Sequence, residues 1–319
     1  MSDTKKLHDM VKAALPELET VIGWGAGFDP LRATPVFVKT AEDVEKLMVN
    51  PFCVQNLSNF LVKAPATPPP EGKKIGIFAK ACDSKSLVAL IQEKFIERGQ
   101  IHVFGVPCRG TVDWRRVMKN LPARIVKSAK VEGEKLIVET NGGTSELKLE
   151  DVLLRKCLRC ARSTPVISDT TVGEPVEPRA TTDAVYREVE ALDAKPLEER
   201  LAFWQKELGK CIRCYACRNA CSLCVCQDRC IAETREPRWL SQYMGLSDKF
   251  LFHFIHAIHL AGRCTECGEC ERVCPMEIPV TLMKEKLNKI MKELMDYEAG
   301  IDPEAVPPLL TFNPSETGI

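Results

Sequence analysis

The sequence predicts an α+β protein with two domains, an N-terminal α/β domain and a smaller, mostly helical C-terminal domain. Its 319 residues exceed the length that one hydrophobic core usually serves. Short apolar runs at 73–79 and 101–106 enclose an amphipathic helical pattern, as in a strand–helix–strand unit. Eleven of the sixteen cysteines lie between positions 211 and 274, which marks a second region of different composition.

The domain boundaries follow from the loop-like segment at 163–183, which contains three prolines and many hydroxyl side chains. A short helix is expected after it, over 198–209, with Gly209 just beyond its last turn. The expected organisation is a first domain over 1–185, a linker and helix over 186–204, a second domain over 205–300 and a tail over 301–319.

Charge and composition argue against several classes of protein. Forty-four basic residues balance forty-four acidic ones, so no excess charge favours nucleic acid or an anionic membrane. The N-terminal MSDTKKLHDM is too polar for a secretory signal, and the most apolar stretch, residues 250–262, is too short to span a bilayer. We therefore expect a cytoplasmic protein, in which cysteines serve metals or redox chemistry more often than disulfides.

Two cysteine runs dominate the second domain, CIRCYACRNAC at 211–221 and CTECGECERVC at 264–274. Both have the spacing C-x2-C-x2-C-x3-C that is typical of [4Fe–4S] ferredoxins, whose fourth cysteine binds the other cluster. Zinc is the alternative, but zinc sites usually pair C-x2-C units across a longer spacer. The expected ligand sets are Cys211, Cys214, Cys217 and Cys274 for one cluster, and Cys264, Cys267, Cys270 and Cys221 for the other.

Helical patterns surround the two runs. Apolar residues at helical spacing predict one helix over 248–262, ending on its glycine, and a long helix after the last cysteine that ends at Gly300. The segment HAIHLAGRCTECGECERVCPMEIPV resembles the alpha-helical ferredoxin fold of heterodisulfide reductase subunits and of the succinate dehydrogenase iron–sulfur subunit. The three histidines of the first helix are open to a role as proton or ligand groups near a cluster, but we interpret them as packing or partner-facing residues.

The charges of the two runs differ. Arg213 and Arg218 lie in the first run, whereas the second carries three glutamates against one arginine. Positive charge stabilises the reduced, more negative form of a cluster, so the sequence predicts the higher reduction potential for the cluster of the first run.

The first domain is expected to contain a strand–helix–strand unit with parallel strands at 73–79 and 101–106. Asp83 is expected at the N-cap of the helix between them, and Gly99 at its end. A hairpin is expected over 135–149, with its turn at NGG. The glycine cluster GWGAG lacks the third glycine and the following helix of a dinucleotide-binding turn, so a Rossmann site is not expected.

Four cysteines of the first domain form a candidate third [4Fe–4S] site. Two of them follow the expected strands, at the edge where open α/β sheets bind ligands, and the other two form the C-x2-C of KCLRC. The spacing leaves buried, unreactive thiols as an alternative. The candidate ligands are Cys82, Cys108, Cys157 and Cys160.

The start of the helix after Cys82 is a candidate anion site, because backbone N–H groups and nearby lysines favour phosphate there. The residues expected to hold a phosphate or diphosphate are Lys80, Asp83, Ser84, Lys85 and Ser86.

The segments NPFCVQNLSNFL, GIFAKACDSKSL, VFGVPCRG and KCLRC, followed by CIRCYACRNACSLCVCQDRC, resemble the coenzyme F-420 hydrogenase and dehydrogenase beta-subunit family, most of all its formate dehydrogenase beta subunits. The resemblance covers roughly residues 20–295. It implies that the first domain binds FAD and one [4Fe–4S] cluster, with flavin contacts from Gln55, Asn56 and Leu57. The expected fold is therefore an N-terminal α/β flavin-binding domain with a C-terminal alpha-helical two-cluster ferredoxin domain.

The expected function is electron transfer in an oxidoreductase, between FAD and three [4Fe–4S] clusters, for a formate dehydrogenase, a hydrogenase or a heterodisulfide-reductase-like partner. No residue constellation predicts a catalytic nucleophile or an acid–base pair. The alternative is an iron–sulfur relay or scaffold subunit without flavin. Four cysteines remain outside the three sets, and their spacing leaves a fourth cluster open: Cys53, Cys224, Cys226 and Cys230.

Overall fold

The computed structural model describes residues 2–63, 68–226, 230, 241 and 243–311. The chain divides into two compact units. Unit 1 comprises Met1–Ser84 and Glu97–Val185, and unit 2 comprises Lys85–Ile96 and Tyr186–Ile319. The main division falls at residue 186, where the sequence predicted that the linker begins. The assignment of Lys85–Ile96 to unit 2 has no signal in the sequence.

A five-stranded mixed sheet forms the centre of unit 1. Its strands are β1 (Leu18–Ala26), β2 (Ala33–Val38), β3 (Lys74–Lys80), β4 (Ile101–Val106) and β8 (Thr170–Thr171). The order is β2-β1-β3-β4-β8, with β2 antiparallel to β1 and the other neighbours parallel. The predicted parallel pairing of β3 and β4 is confirmed. The buried rings of Phe78 and Phe104 stack with centroids 5.1 Å apart and join these strands.

The GWGAG segment lies largely within β1 and does not form a turn. A Cβ atom on Gly23 would overlap the side chain of Leu47, and one on Gly25 would overlap Val36. These glycines therefore serve close packing of the sheet, which agrees with the prediction that no dinucleotide-binding turn is present here.

A separate antiparallel sheet follows in the chain, formed by β5 (Val126–Glu132), β6 (Lys135–Thr140) and β7 (Gly143–Lys148). The predicted hairpin is confirmed by the pairing of β6 with β7. Leu136 and Val138 of β6 pack in one apolar cluster with Cys157. The sheet thus supports the segment that carries the KCLRC cysteines.

The helices of unit 1 are mostly short. They are α1 (Ser2–Ala14), α3 (Trp114–Lys119), α4 (Leu149–Val152) and α5 (Arg155–Leu158), while α2 (Ala81–Gln92) begins in unit 1 and continues into unit 2. Helix α5 contains Cys157, and Cys160 follows two residues after its end.

Helix α2 differs from its expected bounds at both ends. It begins at Ala81, so Asp83 lies in its first turn, where the carboxylate accepts a hydrogen bond from the Lys80 N–H at 3.2 Å. This is the geometry of a capping box and not of an N-cap. The helix ends before Gly99 because Lys94 adopts a left-handed conformation, with φ of 60°. The Lys94 and Phe95 N–H groups bond back to the last turn in a Schellman arrangement.

Unit 2 contains α6 (Arg187–Asp193), α7 (Leu197–Gly209), α8 (Ala216–Asn219), α9 (Leu246–Ile258), α10 (Glu269–Arg272) and α11 (Thr281–Met295). Its apolar core includes Leu208, Phe252 and Ile278 together with thiols of both cysteine runs. The cysteine loops are therefore part of the core of this unit and not an appendage to it.

Three predicted helix ends in unit 2 are wrong. Gly209 is the last residue of α7 itself, and α9 ends at Ile258, four residues before Gly262. Helix α11 ends at Met295, where Asp296 takes the left-handed conformation expected of a terminal glycine. Gly300 has a different role, because a Cβ atom there would collide with the backbone carbonyl of Lys85.

Candidate metal centres

The two cysteine runs adopt the same backbone conformation. The third and fifth residues of each run have positive φ, at Arg213 (51°) and Tyr215 (58°) in the first and at Glu266 (58°) and Gly268 (68°) in the second. Left-handed backbone is uncommon for residues other than glycine. Its repetition at matching positions indicates that both loops wrap a similar object, since alternating backbone conformations of this kind turn N–H groups towards an anion.

A pocket in unit 2 brings together cysteines that are far apart in the sequence. It is lined by Cys211, Cys214 and Cys217 of the first run and by Cys274, the last cysteine of the second run. The apolar side chains of Phe252 and other core residues complete its wall. Sequence spacing predicted this grouping as one ligand set, and the pocket places the four residues around one space.

A lysine of helix α11 lies near cysteines of the second predicted ligand set. The ammonium group of Lys284 has its strongest electrostatic interactions with the thiols of Cys270, Cys221 and Cys264, and a weaker one with Cys217. Cys221 belongs to the first run and the other two belong to the second. Three of the four residues predicted to share the second cluster therefore surround one side chain.

The thiols of these loops are held in surroundings that disfavour their charged form. Burial raises the pKa of Cys217 and of Cys270 to about 12, and burial also raises the pKa of Cys264 well above its ordinary value. A buried thiolate needs a compensating cation, and iron supplies one because metal binding displaces the thiol proton. The donor chemistry therefore fits an iron–sulfur cluster.

A site for a single metal ion requires a tighter grouping of side chains than a cluster does. Among the described residues, no three His, Cys, Asp or Glu side chains lie close enough together to hold one metal ion.

Two histidines of α9 contact cysteines, although we interpreted all three as packing residues. The Nε2 atom of His253 lies 3.3 Å from Sγ of Cys211, and Nε2 of His256 lies 3.1 Å from Sγ of Cys224. Burial lowers the pKa of His253 to about 4, and Lys284 acts in the same direction, so its imidazole is neutral at pH 7. The helical spacing of these residues alone gave no sign of contact with thiols.

In unit 1, the four cysteines of the candidate third site also converge. The thiols of Cys82 and Cys160 interact electrostatically, as do those of Cys108 and Cys157. The Nζ atom of Lys156 lies 3.5 Å from Sγ of Cys82. Cys82 and Cys108 follow the ends of strands β3 and β4 at the same sheet edge, while Cys157 lies in α5 and Cys160 just after it.

Backbone N–H groups point at two of these sulfurs. The Gly110 N–H donates to Sγ of Cys108 and the Thr111 N–H donates to Sγ of Cys157, both at 3.3 Å. Burial raises the pKa of Cys108 to about 11 and that of Cys82 well above its ordinary value. N–H donors to sulfur stabilise thiolates and are one of the means by which proteins tune iron–sulfur clusters. This arrangement fits a [4Fe–4S] cluster better than unreactive core thiols.

We expect Gly110→Ala to lower the free energy of unfolding by about 1–3 kcal/mol, since Gly110 has φ of 119° and a Cβ atom there would press on Leu153 and Cys157. Gly133→Ala is the matched control, because Gly133 also has positive φ (58°) but no atom within 4 Å of an added Cβ. Urea unfolding of both variants measures the difference. Equal losses would show that the loop at Gly110 is not constrained by the cysteine site.

The residues expected to contact flavin have mainly structural partners. The Asn56 side chain accepts the Ser58 N–H and caps a short 3-10 turn, and Leu57 is fully buried. Gln55 is different: its Nε2 donates to the Ala33 carbonyl at 2.8 Å, while its buried Oε1 has no hydrogen-bond partner in the described structure. This acceptor is the feature of the segment that fits a bound ligand carrying N–H groups.

Lys80, a lysine of the predicted anion site, already has several protein partners. The Lys80 Nζ atom forms a buried ion pair with Asp83 at 2.7 Å, bonds to the Gln55 carbonyl at 3.2 Å and lies 4.0 Å from the ring centroid of Trp24. Burial alone would lower the pKa of Lys80, but Asp83 and the neighbouring Cys82 together outweigh burial, and the pKa is raised. Lys80 is therefore charged but already neutralised by its neighbour, which the sequence did not indicate.

The remaining residues of that predicted site also have protein partners. Ser84 Oγ donates to the Ala81 carbonyl and accepts the Val166 N–H, both at 2.8 Å. In unit 2, Lys85 pairs with Glu298 at 3.2 Å, and Ser86 bonds to Thr265 at 2.8 Å. These contacts stabilise α2 and its neighbours, and the anion site stays a prediction.

Of the four cysteines left over, one belongs to unit 1 and three belong to unit 2. Cys53 is buried in unit 1, where its thiol donates to the Met48 carbonyl at 3.6 Å and to Oδ1 of Asn50 at 3.5 Å. In unit 2, Sγ of Cys230 accepts from Arg218 Nε at 3.3 Å. Cys226 is exposed. The intervening residues 227–229 lie outside the described part of the chain, and a fourth cluster stays an open prediction.

Comparison with known proteins connects both units to redox enzymes. Residues 72–195 match the family model for the C terminus of the coenzyme F420 hydrogenase/dehydrogenase beta subunit. Residues 207–278 match the model described as a 4Fe-4S dicluster domain. The second match covers both cysteine runs and agrees with the ferredoxin domain predicted from their spacing.

Curated relatives extend the similarity to most of the chain. It is 23% identical to the F420-dependent formate dehydrogenase subunit beta of Methanocaldococcus jannaschii, in an alignment of 352 positions that covers 92% of this chain and 90% of the relative. It is 25% identical to the F420-dependent formate dehydrogenase 1 subunit beta of Methanococcus maripaludis, in an alignment of 355 positions that covers 92% of this chain and 89% of the relative. These matches confirm the resemblance to the coenzyme F420 hydrogenase/dehydrogenase beta-subunit family that the motifs predicted.

A chain from the solved structure of the F420-reducing [NiFe] hydrogenase complex of Methanosarcina barkeri also matches. It is 19% identical with a TM-score of 0.39, over 62% of this chain and 76% of that chain. Among the described residues, no helix combines the length and the apolar character needed to cross a membrane.

Proposed function

We propose that the chain is an electron-transfer subunit of an oxidoreductase complex, exchanging electrons between FAD and [4Fe–4S] clusters on behalf of a catalytic partner. The observation that carries the proposal is the convergence of distant cysteines, since Cys274 joins the first run and Cys82 and Cys108 join the KCLRC pair. The formate dehydrogenase relatives support a formate dehydrogenase as the partner. A hydrogenase or a heterodisulfide-reductase-like subunit is the other proposed partner.

The described residues would divide the cofactors between the units. Unit 2 would hold two clusters on its paired loops, whose apolar core excludes water from the sulfurs. Unit 1 would hold a third cluster at the edge of β3 and β4, with FAD close to the buried acceptor of Gln55. When bound, FAD exchanges two electrons as a hydride and the clusters carry electrons singly. The cytoplasm is the proposed location, because its reducing conditions preserve free thiols.

Anaerobic purification followed by cofactor analysis tests this function. We expect a brown protein with about twelve irons and matching acid-labile sulfide per chain, and about one extractable FAD. Iron and sulfide without flavin would favour the second candidate, a relay subunit. The ion pairs of Lys80 with Asp83 and of Lys85 with Glu298 also favour that candidate, because they occupy the lysines predicted to bind the diphosphate of FAD. A colourless protein that contains zinc would contradict both.

A further inference from the structure

Lys284 is a buried lysine on the inner face of α11. Its side chain lies in the core of unit 2 with only 2% of its surface exposed. Lysine is almost never fully buried unless an opposite charge accompanies it. In the part of the chain that the structure describes, its Nζ atom makes no hydrogen bond with a carboxylate or a carbonyl.

The other lysines of α11 behave differently. Lys286 pairs with Asp193 at 2.6 Å, and Lys289 pairs with Glu293 at 2.8 Å. These pairs are partly or largely exposed and are ordinary features of a solvated helix. Lys284 is therefore the exception on its helix, and its surroundings need a separate explanation.

The groups around Lys284 are cysteine thiols from both loops. Those of Cys270, Cys221 and Cys264 interact with it most strongly, and that of Cys217 interacts less. Neighbouring contacts fix α11 against the second loop: Asn288 Nδ2, one turn further along, donates to the Cys264 carbonyl at 2.6 Å. The ammonium group is thus held by the fold where the sulfurs of the second ligand set converge.

An anionic cluster explains this arrangement. A [4Fe–4S] centre with four thiolates carries net negative charge, so it supplies the counter-charge that a buried ammonium requires. Among the described residues, no carboxylate is hydrogen-bonded to Lys284, so none supplies this counter-charge in place of the cluster.

We propose that Lys284 is a fixed positive charge that raises the reduction potential of the cluster held by Cys221, Cys264, Cys267 and Cys270. The inference rests on the proposed function, because it requires that cluster to be present. The charge favours the reduced form, which is more negative than the oxidised form, and it acts through low-dielectric surroundings that water does not screen. It also opposes the order of potentials predicted from the arginines and glutamates of the two runs.

Lys284→Met tests the proposal, because methionine keeps the length and apolar stem of the side chain and removes the charge. In an anaerobic redox titration of the full chain followed by EPR, we expect the second-run cluster to become at least tenfold harder to reduce. This corresponds to a shift of about 59 mV towards negative potential for one electron. The cluster of the first run should shift less, since Cys217 is the weakest of the four neighbours.

Two further variants make the result specific. Lys292→Met removes a charge from the exposed face of the same helix and should leave both potentials unchanged. Lys284→Arg keeps the charge, so its second-run cluster should stay close to the wild-type potential. If Lys284→Met loses the second cluster while Lys284→Arg retains four irons there, the charge is needed to hold the cluster, which supports the proposal.

The proposal fails if the second-run cluster of Lys284→Met is intact and its potential is unchanged. It also fails if Lys284→Met and Lys284→Arg lose iron equally, because packing and not charge would then explain the residue. A wild-type chain that shows no [4Fe–4S] signal would instead overturn the proposed function, so the two failures are distinguishable.

Discussion

Cys274→Ala should remove the cluster of the first run and spare that of the second run, although Cys274 lies at the end of the second. We expect the loss of about four irons per chain. The physical reason is the pocket that Cys274 shares with Cys211, Cys214 and Cys217. Alanine leaves no sulfur or oxygen to complete the ligand set. EPR of the reduced protein, with iron and sulfide counts, measures the result.

The control is Cys226→Ala, which removes an exposed cysteine from the same unit and should leave about twelve irons in place. Cys211→Ala gives an internal comparison, because it should abolish the same EPR signal as Cys274→Ala. If Cys274→Ala instead abolishes the signal that Cys267→Ala abolishes, each run binds its own cluster and the cross-ligation is wrong.

The ferredoxin loops illustrate what sequence alone can predict. Cysteine spacing is a local property, and a loop that wraps a cube fixes both the ligands and the backbone between them. The grouping of Cys274 with the first run therefore followed from the motif. The left-handed conformation of Arg213, Tyr215 and Glu266 did not, because these residue types give no local preference for it.

Helix ends were the weakest part of the sequence prediction. Gly99, Gly262 and Gly300 each looked like a terminal glycine, but the helices end before them. At Lys94 and Asp296, the chain accepts left-handed conformations at residues that usually avoid them. Such an ending depends on tertiary contacts and on the hydrogen bonds of the last turn, neither of which a residue pattern records.

The surroundings of the residues predicted to bind flavin could not be predicted from the pattern either. Lys80 and Lys85 lie at a helix N-terminus, which is where phosphate binds in many proteins. Whether such a lysine is open to a ligand depends on the carboxylates that reach it. Asp83 comes from the same turn, whereas Glu298 is more than two hundred positions away from Lys85. Lys284 was missed for the same reason, since a lysine on an amphipathic helix normally predicts a solvated face.

The proposed third cluster should give the second large effect, because its candidate ligands all lie in unit 1. We expect Cys108→Ala to lose about four irons per chain while both ferredoxin EPR signals persist. The Cys108 thiol accepts a hydrogen bond from the Gly110 N–H and interacts electrostatically with the thiol of Cys157, as expected for a cluster ligand. Cys82→Ala should lose the same irons, since its thiol interacts with that of Cys160.

Cys53→Ala is the matched control, and it decides between three clusters and four. Cys53 is as buried as the ligand candidates, and burial raises its pKa to about 11, as it does for Cys108. Its thiol, however, donates to the Met48 carbonyl and to Asn50, so it already has partners suited to a neutral S–H group. The Cys53 variant should therefore keep all its iron. A loss of four irons in Cys53→Ala, from a total of about sixteen, would establish a fourth cluster. Unchanged iron in Cys108→Ala would show that the unit 1 cysteines are buried core thiols and not cluster ligands.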